Sequence, residues 1–85
     1  MSGVIATFKV MPAGIDVNLD MLEAKIKEDV KPDQLKREPI AFGLVALIVV
    51  KIVQDEAGEI DRIEDALKKI DGVGEVQVTE VTKAL

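Results

Sequence analysis

The sequence contains no cysteine and no histidine, and its only aromatic residues are Phe8 and Phe42. The absence of cysteine excludes disulfides, thiolate metal sites and cysteine nucleophiles. The absence of histidine removes the commonest metal ligand and the usual general base near neutral pH. Because most catalytic and metal chemistry needs one of these groups, we expect a protein that is not an enzyme, has no cofactor and acts by binding a partner.

Positive charge is also in short supply, with 11 basic against 16 acidic residues and a formal net charge of −5. Nucleic-acid binding depends on lysine and arginine side chains that neutralise phosphates, and on aromatic side chains that stack on bases. We therefore expect no direct contact with nucleic acid.

Long apolar segments are missing too. The most apolar run, residues 44–50, ends at Lys51 and falls short of the roughly 18 residues of a membrane-spanning helix. No basic segment followed by an apolar one opens the chain, so we expect no signal peptide, no membrane contact and a cytoplasmic location. A chain of 85 residues, 48% of them hydrophobic, suits a single domain over residues 1–85 with one core.

Two periodicities follow one another in the first part of the chain. Residues 4–11 alternate between a strongly apolar face and a more polar one, which predicts a strand. Residues 16–30 predict a helix, because apolar residues recur at three- and four-residue steps, and Asn18 or Asp16 can cap it. The helical stripe consists of Leu19, Leu22, Ile26 and Val30.

The second part of the chain repeats the alternation of strand and helix. Residues 34–42 predict a weak strand, and the charges before Pro39 suit an edge position. Residues 44–53 are apolar and β-branched and predict the strongest strand. A helix starts at Glu59, and residues 76–81 predict a last strand. The stripe of this second helix consists of Ile60, Ile63, Leu67 and Ile70.

The predicted order is β-α-β-β-α-β, which indicates a ferredoxin-like α+β sandwich. In this fold a four-stranded antiparallel sheet carries two helices on one face. Right-handed crossovers then place the first and third strands in the centre and the second and fourth at the edges.

The open face of this sheet is expected to be apolar. If the third strand turns Leu44, Ala46, Ile48, Val50 and Ile52 toward the helices, then Val45, Leu47 and Val49 face away from them. Such a patch has two interpretations. It is either an apolar sheet surface that a second copy covers in a dimer, or a docking surface for another protein.

Three further features have two interpretations each. Phe42 stands between Pro39 and Gly43 at a corner between strands, where it either packs in the core or anchors an interface. The pair Gly72 and Gly74 is better explained as a helix stop than as a phosphate loop, since no Gly-Lys-Ser/Thr follows. The acidic stretch around residues 55–61 lacks calcium-loop spacing and is best explained as a solvated turn.

Four segments in this order resemble those of the archaeal elongation factor one-beta family and of the exchange domain of its eukaryotic counterpart. The resemblance covers essentially the whole chain. The segments are residues 4–12 (VIATFKVMP), residues 39–44 (PIAFGL), the apolar strand running into residues 53–56 (VQDE), and residues 76–85 (VQVTEVTKAL).

The resemblance implies guanine-nucleotide exchange on the GTPase elongation factor one-alpha, which must release GDP before it reloads with GTP in translation elongation. It also implies that Lys83, near the C-terminus, approaches the magnesium site of the GTPase, although Ala84 and Leu85 follow it where the eukaryotic tail has one residue. Phe42 is implied as a second anchor on the GTPase. The implied partner-binding set is Phe42, Lys83, Pro39, Gly43 and Leu85.

Two other functions fit the same order of elements. A dimeric small-molecule-sensing regulatory domain would use the glycine-rich turn and the open sheet face. A ferredoxin-like enzyme such as an acylphosphatase would need an arginine-bearing anion loop after the first strand, which residues 12–15 (PAGI) do not provide. The oligomeric state is left open by the sequence.

Overall fold

Two helices and four strands alternate in the order β-α-β-β-α-β in the computed structural model, which describes residues 3–54 and 58–84. This order and the ferredoxin-like α+β architecture confirm the prediction. The elements are β1 (Gly3–Pro12), α1 (Leu19–Asp29), β2 (Gln34–Pro39), β3 (Val45–Gln54), α2 (Glu59–Lys68) and β4 (Val73–Ala84).

The four strands form one antiparallel sheet in the spatial order β2-β3-β1-β4. β1 and β3 are therefore central, and β2 and β4 are the edges, as the crossover rule predicts. The edge strand β2 is short, and its charged residues are exposed, which protects it from pairing with another chain. These exposed charged residues are Lys36, Arg37 and Glu38.

The core lies between the sheet and the two helices. One face of β1 is buried over its whole length, and both predicted helical stripes pack against it. Phe8, Ile26 and Leu67 have no exposed surface. The buried set includes Val4, Ala6, Phe8, Val10, Leu22, Ile26, Val30, Ile63, Leu67, Ile70 and Val76.

Helix α1 begins at Leu19, directly after one of the two caps that the sequence offers. The Oδ1 atom of Asn18 accepts a hydrogen bond from the backbone N–H of Met21 at 3.1 Å, so Asn18 and not Asp16 is the cap. Gly72 has a φ of 97° just beyond α2, which is the left-handed backbone that favours glycine after a helix. The helix-stop interpretation of this turn agrees with that geometry.

The predicted facing of β3 is wrong. Leu47 and Val49 belong to the core, and Val49 pairs with the buried Phe8, so both point toward the helices. Ile48, Val50 and Ile52 instead lie on the open face, opposite Lys9, Thr7 and Ile5 of β1. The open face is still partly apolar, because Ile52 is 50% exposed there. β3 is apolar on both faces, so its sequence holds no alternation that could indicate which face is inward.

Within the described residues, neither helix is long and apolar enough to cross a membrane. The acidic residues Asp55 and Glu56 lie outside the described part of the chain. In the described part, no three acidic, cysteine or histidine side chains are grouped as a metal site would require.

Replacing Leu67 with alanine should test the core directly. Leu67 has no exposed surface, so the truncation leaves a cavity and costs about 2–5 kcal/mol of unfolding free energy. In a domain of this size the melting temperature should fall by about 10 °C or more. Thermal unfolding measured by circular dichroism checks the value. The exposed Ile15, changed to alanine, is the matched control and should leave the melting temperature nearly unchanged.

Candidate partner-binding site

The loop between β2 and β3 closes in a tight turn that displays Phe42. The backbone N–H of Leu44 donates to the carbonyl of Ala41 at 3.2 Å, and that of Ile40 donates to the carbonyl of Leu44 at 2.8 Å. The two central residues, Phe42 and Gly43, have φ values of 61° and 76°. Two positive φ values in succession define a type I′ turn, the geometry that matches the twist of a β-hairpin.

Phe42 is an unusual residue for this position. Type I′ turns favour asparagine, aspartate or glycine, and a bulky side chain at positive φ costs about 1–2 kcal/mol. The phenyl ring recovers none of this cost by packing, since Phe42 is 94% exposed. Core packing of Phe42 is therefore excluded. A strained backbone that holds an unpacked aromatic ring in solvent favours the interface interpretation.

Pro39 and Gly43 flank this aromatic residue and give the turn its shape. Pro39 is the last residue of β2 and is exposed opposite Val45, on an edge where a missing N–H costs little. A Cβ atom at Gly43 would meet no atom within 4 Å, so the positive φ and not lack of space calls for glycine there.

An ion-pair network that no sequence pattern predicts links β2 to α1 near this turn. The Nη2 atom of Arg37 donates to Oδ1 of Asp20 at 2.6 Å, and its Nε atom donates to Oε2 of Glu23 at 2.9 Å. The hydrogen bond to Glu23, followed by that to Asp20, raises the pKa of Arg37 above its usual value. No local pattern indicates this network, because its partners are 14 and 17 residues apart in the chain.

Lys83 lies at the other end of the sheet. It pairs with Val4 of β1, whose neighbour on the other side is Val53 of β3. Lys83 is exposed, and it makes no ion pair with any residue of the described ranges. Leu85, the remaining predicted site residue, lies outside the described residues.

Phe42 and Lys83 are too far apart to bind one small ligand together. The hairpin with Phe42 precedes Val45, whereas Lys83 is level with Val53, eight residues further along β3. At about 3.3 Å per residue, the two levels are about 26 Å apart along the strand. The structure therefore places these two predicted site residues at opposite ends of the sheet.

These features define a class: a ferredoxin-like α+β domain with an exposed, strained aromatic residue at one end of its sheet and an exposed lysine at the other. A family model described as "EF-1 guanine nucleotide exchange domain" matches residues 5–84.

Several curated archaeal proteins named "Elongation factor 1-beta" are similar to the chain over nearly its whole length. The protein of Methanothermobacter thermautotrophicus is 40% identical and is covered completely, as is this chain. That of Natronomonas pharaonis is 44% identical over 95% of this chain and 97% of its own, and that of Methanosarcina barkeri is 45% identical over the same shares.

The chain belongs to the family of EF-1 guanine nucleotide exchange domains. Its role is guanine-nucleotide exchange in translation elongation, as the resemblance of the sequence implied.

The turn geometry predicts that a residue suited to positive φ at position 42 makes the free protein more stable. Replacing Phe42 with asparagine creates Asn-Gly, the favoured type I′ pair, and should raise the free energy of unfolding by about 1 kcal/mol because the strain is relieved. Chemical denaturation of the free protein checks this value. Gly43→Ala is the control and should be destabilising, since alanine is strained at a φ of 76°. A Phe42→Asn variant less stable than the parent would contradict the strain argument.

Proposed function

We propose that this protein binds the GTPase elongation factor one-alpha and promotes the release of GDP, so that GTP can reload. The observation that carries the proposal is the match of the exchange-domain family over residues 5–84. Phe42 and Lys83 are exposed and supply two groups with which such a protein would bind a partner. The protein makes and breaks no covalent bond in this role, so it is not an enzyme and needs no cofactor.

The physical basis of exchange is linkage between two binding equilibria. If the protein binds the nucleotide-free GTPase more tightly than the GDP-bound form, GDP must bind the complex more weakly by the same factor. A typical coupling of about 1–3 kcal/mol weakens the nucleotide about 5- to 150-fold. A protein with equal affinity for both forms would change nothing, however tightly it bound.

Lys83 is the proposed source of this coupling. The GTPase holds GDP through magnesium and the phosphates, which are strong local charges. An ammonium group brought close to the metal competes with it electrostatically for the same oxygens, and the repulsion is large because such a site is partly desolvated. Lys83 suits this role because it is exposed and has no carboxylate partner within the described residues.

Phe42 is the proposed anchor. An aromatic residue that enters a pocket on the partner supplies much of the affinity of a typical interface. Because about 26 Å separates its level from that of Lys83, we propose that the long axis of the sheet lies along the GTPase and contacts it at two separate regions. One contact then provides affinity, and the other displaces the nucleotide.

A nucleotide-release experiment tests the proposed function. Elongation factor one-alpha from an archaeal source is loaded with a fluorescent GDP analogue, and its release is followed with excess unlabelled GDP. We expect the parent protein to accelerate release in a concentration-dependent, saturable manner. An unchanged rate at a stoichiometric excess would refute the proposal.

A ligand-binding control separates this role from the small-molecule-sensing alternative. Calorimetry with amino acids should give no heat of binding, and the oligomer size should not change on their addition.

We place the exchange role in the cytoplasm, where the GTPase delivers aminoacyl-tRNA to the ribosome.

A further inference from the structure

Strand β4 contains two irregularities in its pairing with β1, and only one of them has a packing reason. At the first, Val73 pairs with Pro12 and Glu75 pairs with Met11, so Gly74 between them is an extra residue in β4. A Cβ atom at Gly74 would come within 3.0 Å of the Ala13 backbone, so this bulge lets two chain segments approach closely.

The second irregularity lies at Thr79. Phe8 pairs with Val78 but Thr7 pairs with Glu80, so Thr79 is an extra residue in β4. The Thr79 hydroxyl donates to the carbonyl of Thr7 at 3.3 Å and helps to hold this bulge. Beyond Thr79, residues 81–83 are all exposed, and Val81 is still 49% accessible, so the bulge adds little to the core.

The Thr79 bulge changes which face of the sheet Lys83 occupies. Val76 and Val78 lie on the helix face, so uninterrupted alternation would place residues 80 and 82 there too, and Lys83 on the open face. With Thr79 inserted, Lys83 instead pairs with Val4, which is buried on the helix face. Directly paired residues share a face, so Lys83 lies on the helix face.

We propose that Thr79 is a positioning residue for nucleotide exchange: its bulge places the Lys83 ammonium on the helix face of the sheet, and exchange requires that face. This inference rests on the proposed exchange function. Bulges commonly redirect a side chain near a functional site and bend the strand that carries it. The extra residue also shifts the end of β4 by one position, so that Ala84 and not Lys83 pairs with Gly3.

A swap of two neighbouring residues tests the face without changing length or composition. In the double variant Thr82→Lys, Lys83→Thr, the ammonium moves to the residue that pairs with Ile5 on the open face. We expect the saturated rate of GDP release to fall about tenfold or more, as for removal of the lysine, while the affinity for the nucleotide-free GTPase changes less than about threefold. The variant Thr82→Lys, which keeps Lys83, is the control and should retain the parent's rate.

A register variant tests the bulge argument by rescue. Insertion of one alanine after Glu80 should move Lys83 to the open face and Thr82 to the position opposite Val4, with loss of exchange. Adding Thr82→Lys to the insertion variant then returns an ammonium to the helix face and should restore exchange. A purely structural role for the bulge would not produce this recovery. Thermal unfolding of each variant checks that the exposed end of β4 tolerates the change.

The outcomes separate this inference from the function on which it rests. If the parent protein does not accelerate GDP release, the proposed function fails and the inference falls with it. If the parent is active and the swapped variant is equally active, the face of the sheet does not matter and only this inference is overturned. Failure of Thr82→Lys to rescue the insertion variant overturns it as well.

Discussion

Replacing Lys83 with alanine should slow GDP release from the complex about 10- to 100-fold, which corresponds to most of a typical coupling energy. The affinity for the nucleotide-free GTPase should change less than about threefold, because that form lacks the bound nucleotide and metal with which the ammonium competes. This pair of results would mean that Lys83 acts on the difference between the two states of the GTPase and not on binding in general. Stopped-flow release of a fluorescent GDP analogue, measured over a range of protein concentrations, separates the two parameters.

The charge of Lys83 should matter more than its shape. Lys83→Arg keeps a cation and should retain part of the activity, whereas Lys83→Met keeps apolar bulk and should behave like alanine. Lys36→Ala is the matched control, since Lys36 is also an exposed strand lysine but lies on the opposite edge of the sheet. Equal rates for the parent and Lys83→Ala would remove Lys83 from the mechanism.

Replacing Phe42 with alanine should have the reverse signature. The affinity for the GTPase should fall about 30- to 1000-fold, because an aromatic anchor at an interface commonly contributes about 2–4 kcal/mol. The saturated rate of GDP release should change little, since this end of the sheet is about 26 Å from the level of Lys83. Titration of the GTPase with the variant measures the loss of affinity.

Stability distinguishes this effect from misfolding. Phe42 is 94% exposed, so Phe42→Ala should leave the unfolding free energy within about 1 kcal/mol of the parent's. Phe8→Ala, the other aromatic truncation, removes a fully buried ring and should cost about 3–5 kcal/mol. If Phe42→Ala binds the GTPase as tightly as the parent, the hairpin turn is not an anchor.

The double variant Phe42→Ala, Lys83→Ala should lose both affinity for the GTPase and rate of GDP release. The free-energy changes that correspond to the two single-variant losses should add. Residues farther apart than about 7–10 Å and without shared partners usually behave independently. A deficit much smaller than the sum would mean that one contact cannot form without the other, and the GTPase would then have to change shape as it binds.

Much of the fold was predictable because its signals are local. The stripe of Leu22 and Ile26 indicated α1, Asn18 or Asp16 indicated its start, and the charges before Pro39 indicated an edge strand, each from residues a few positions apart. The facing of β3 was not predictable in the same way. Ile48 and Val49 are equally apolar, so only pairing with β1 shows that Val49 points inward and Ile48 does not.

The candidate site was likewise predictable only in part. Phe42 and Lys83 could be named from family resemblance, but their separation, the strain at Phe42 and the network around Arg37 could not. Arg37 reaches Asp20 and Glu23 across two elements of the fold, and the extra residue Thr79 is defined only against the strand beside it. No pattern within β4 distinguishes a bulged strand from a regular one.

Residue types and short-range spacing were enough to establish the order of elements, the two helical stripes, the family and the absence of histidine and cysteine chemistry. The folded chain was needed to show which face of β3 is buried, that Phe42 stands in solvent at a strained turn, and that Lys83 lies on the helix face at the far end of the sheet. These depend on the register between strands, and a shift of one residue there reverses the face of every side chain that follows.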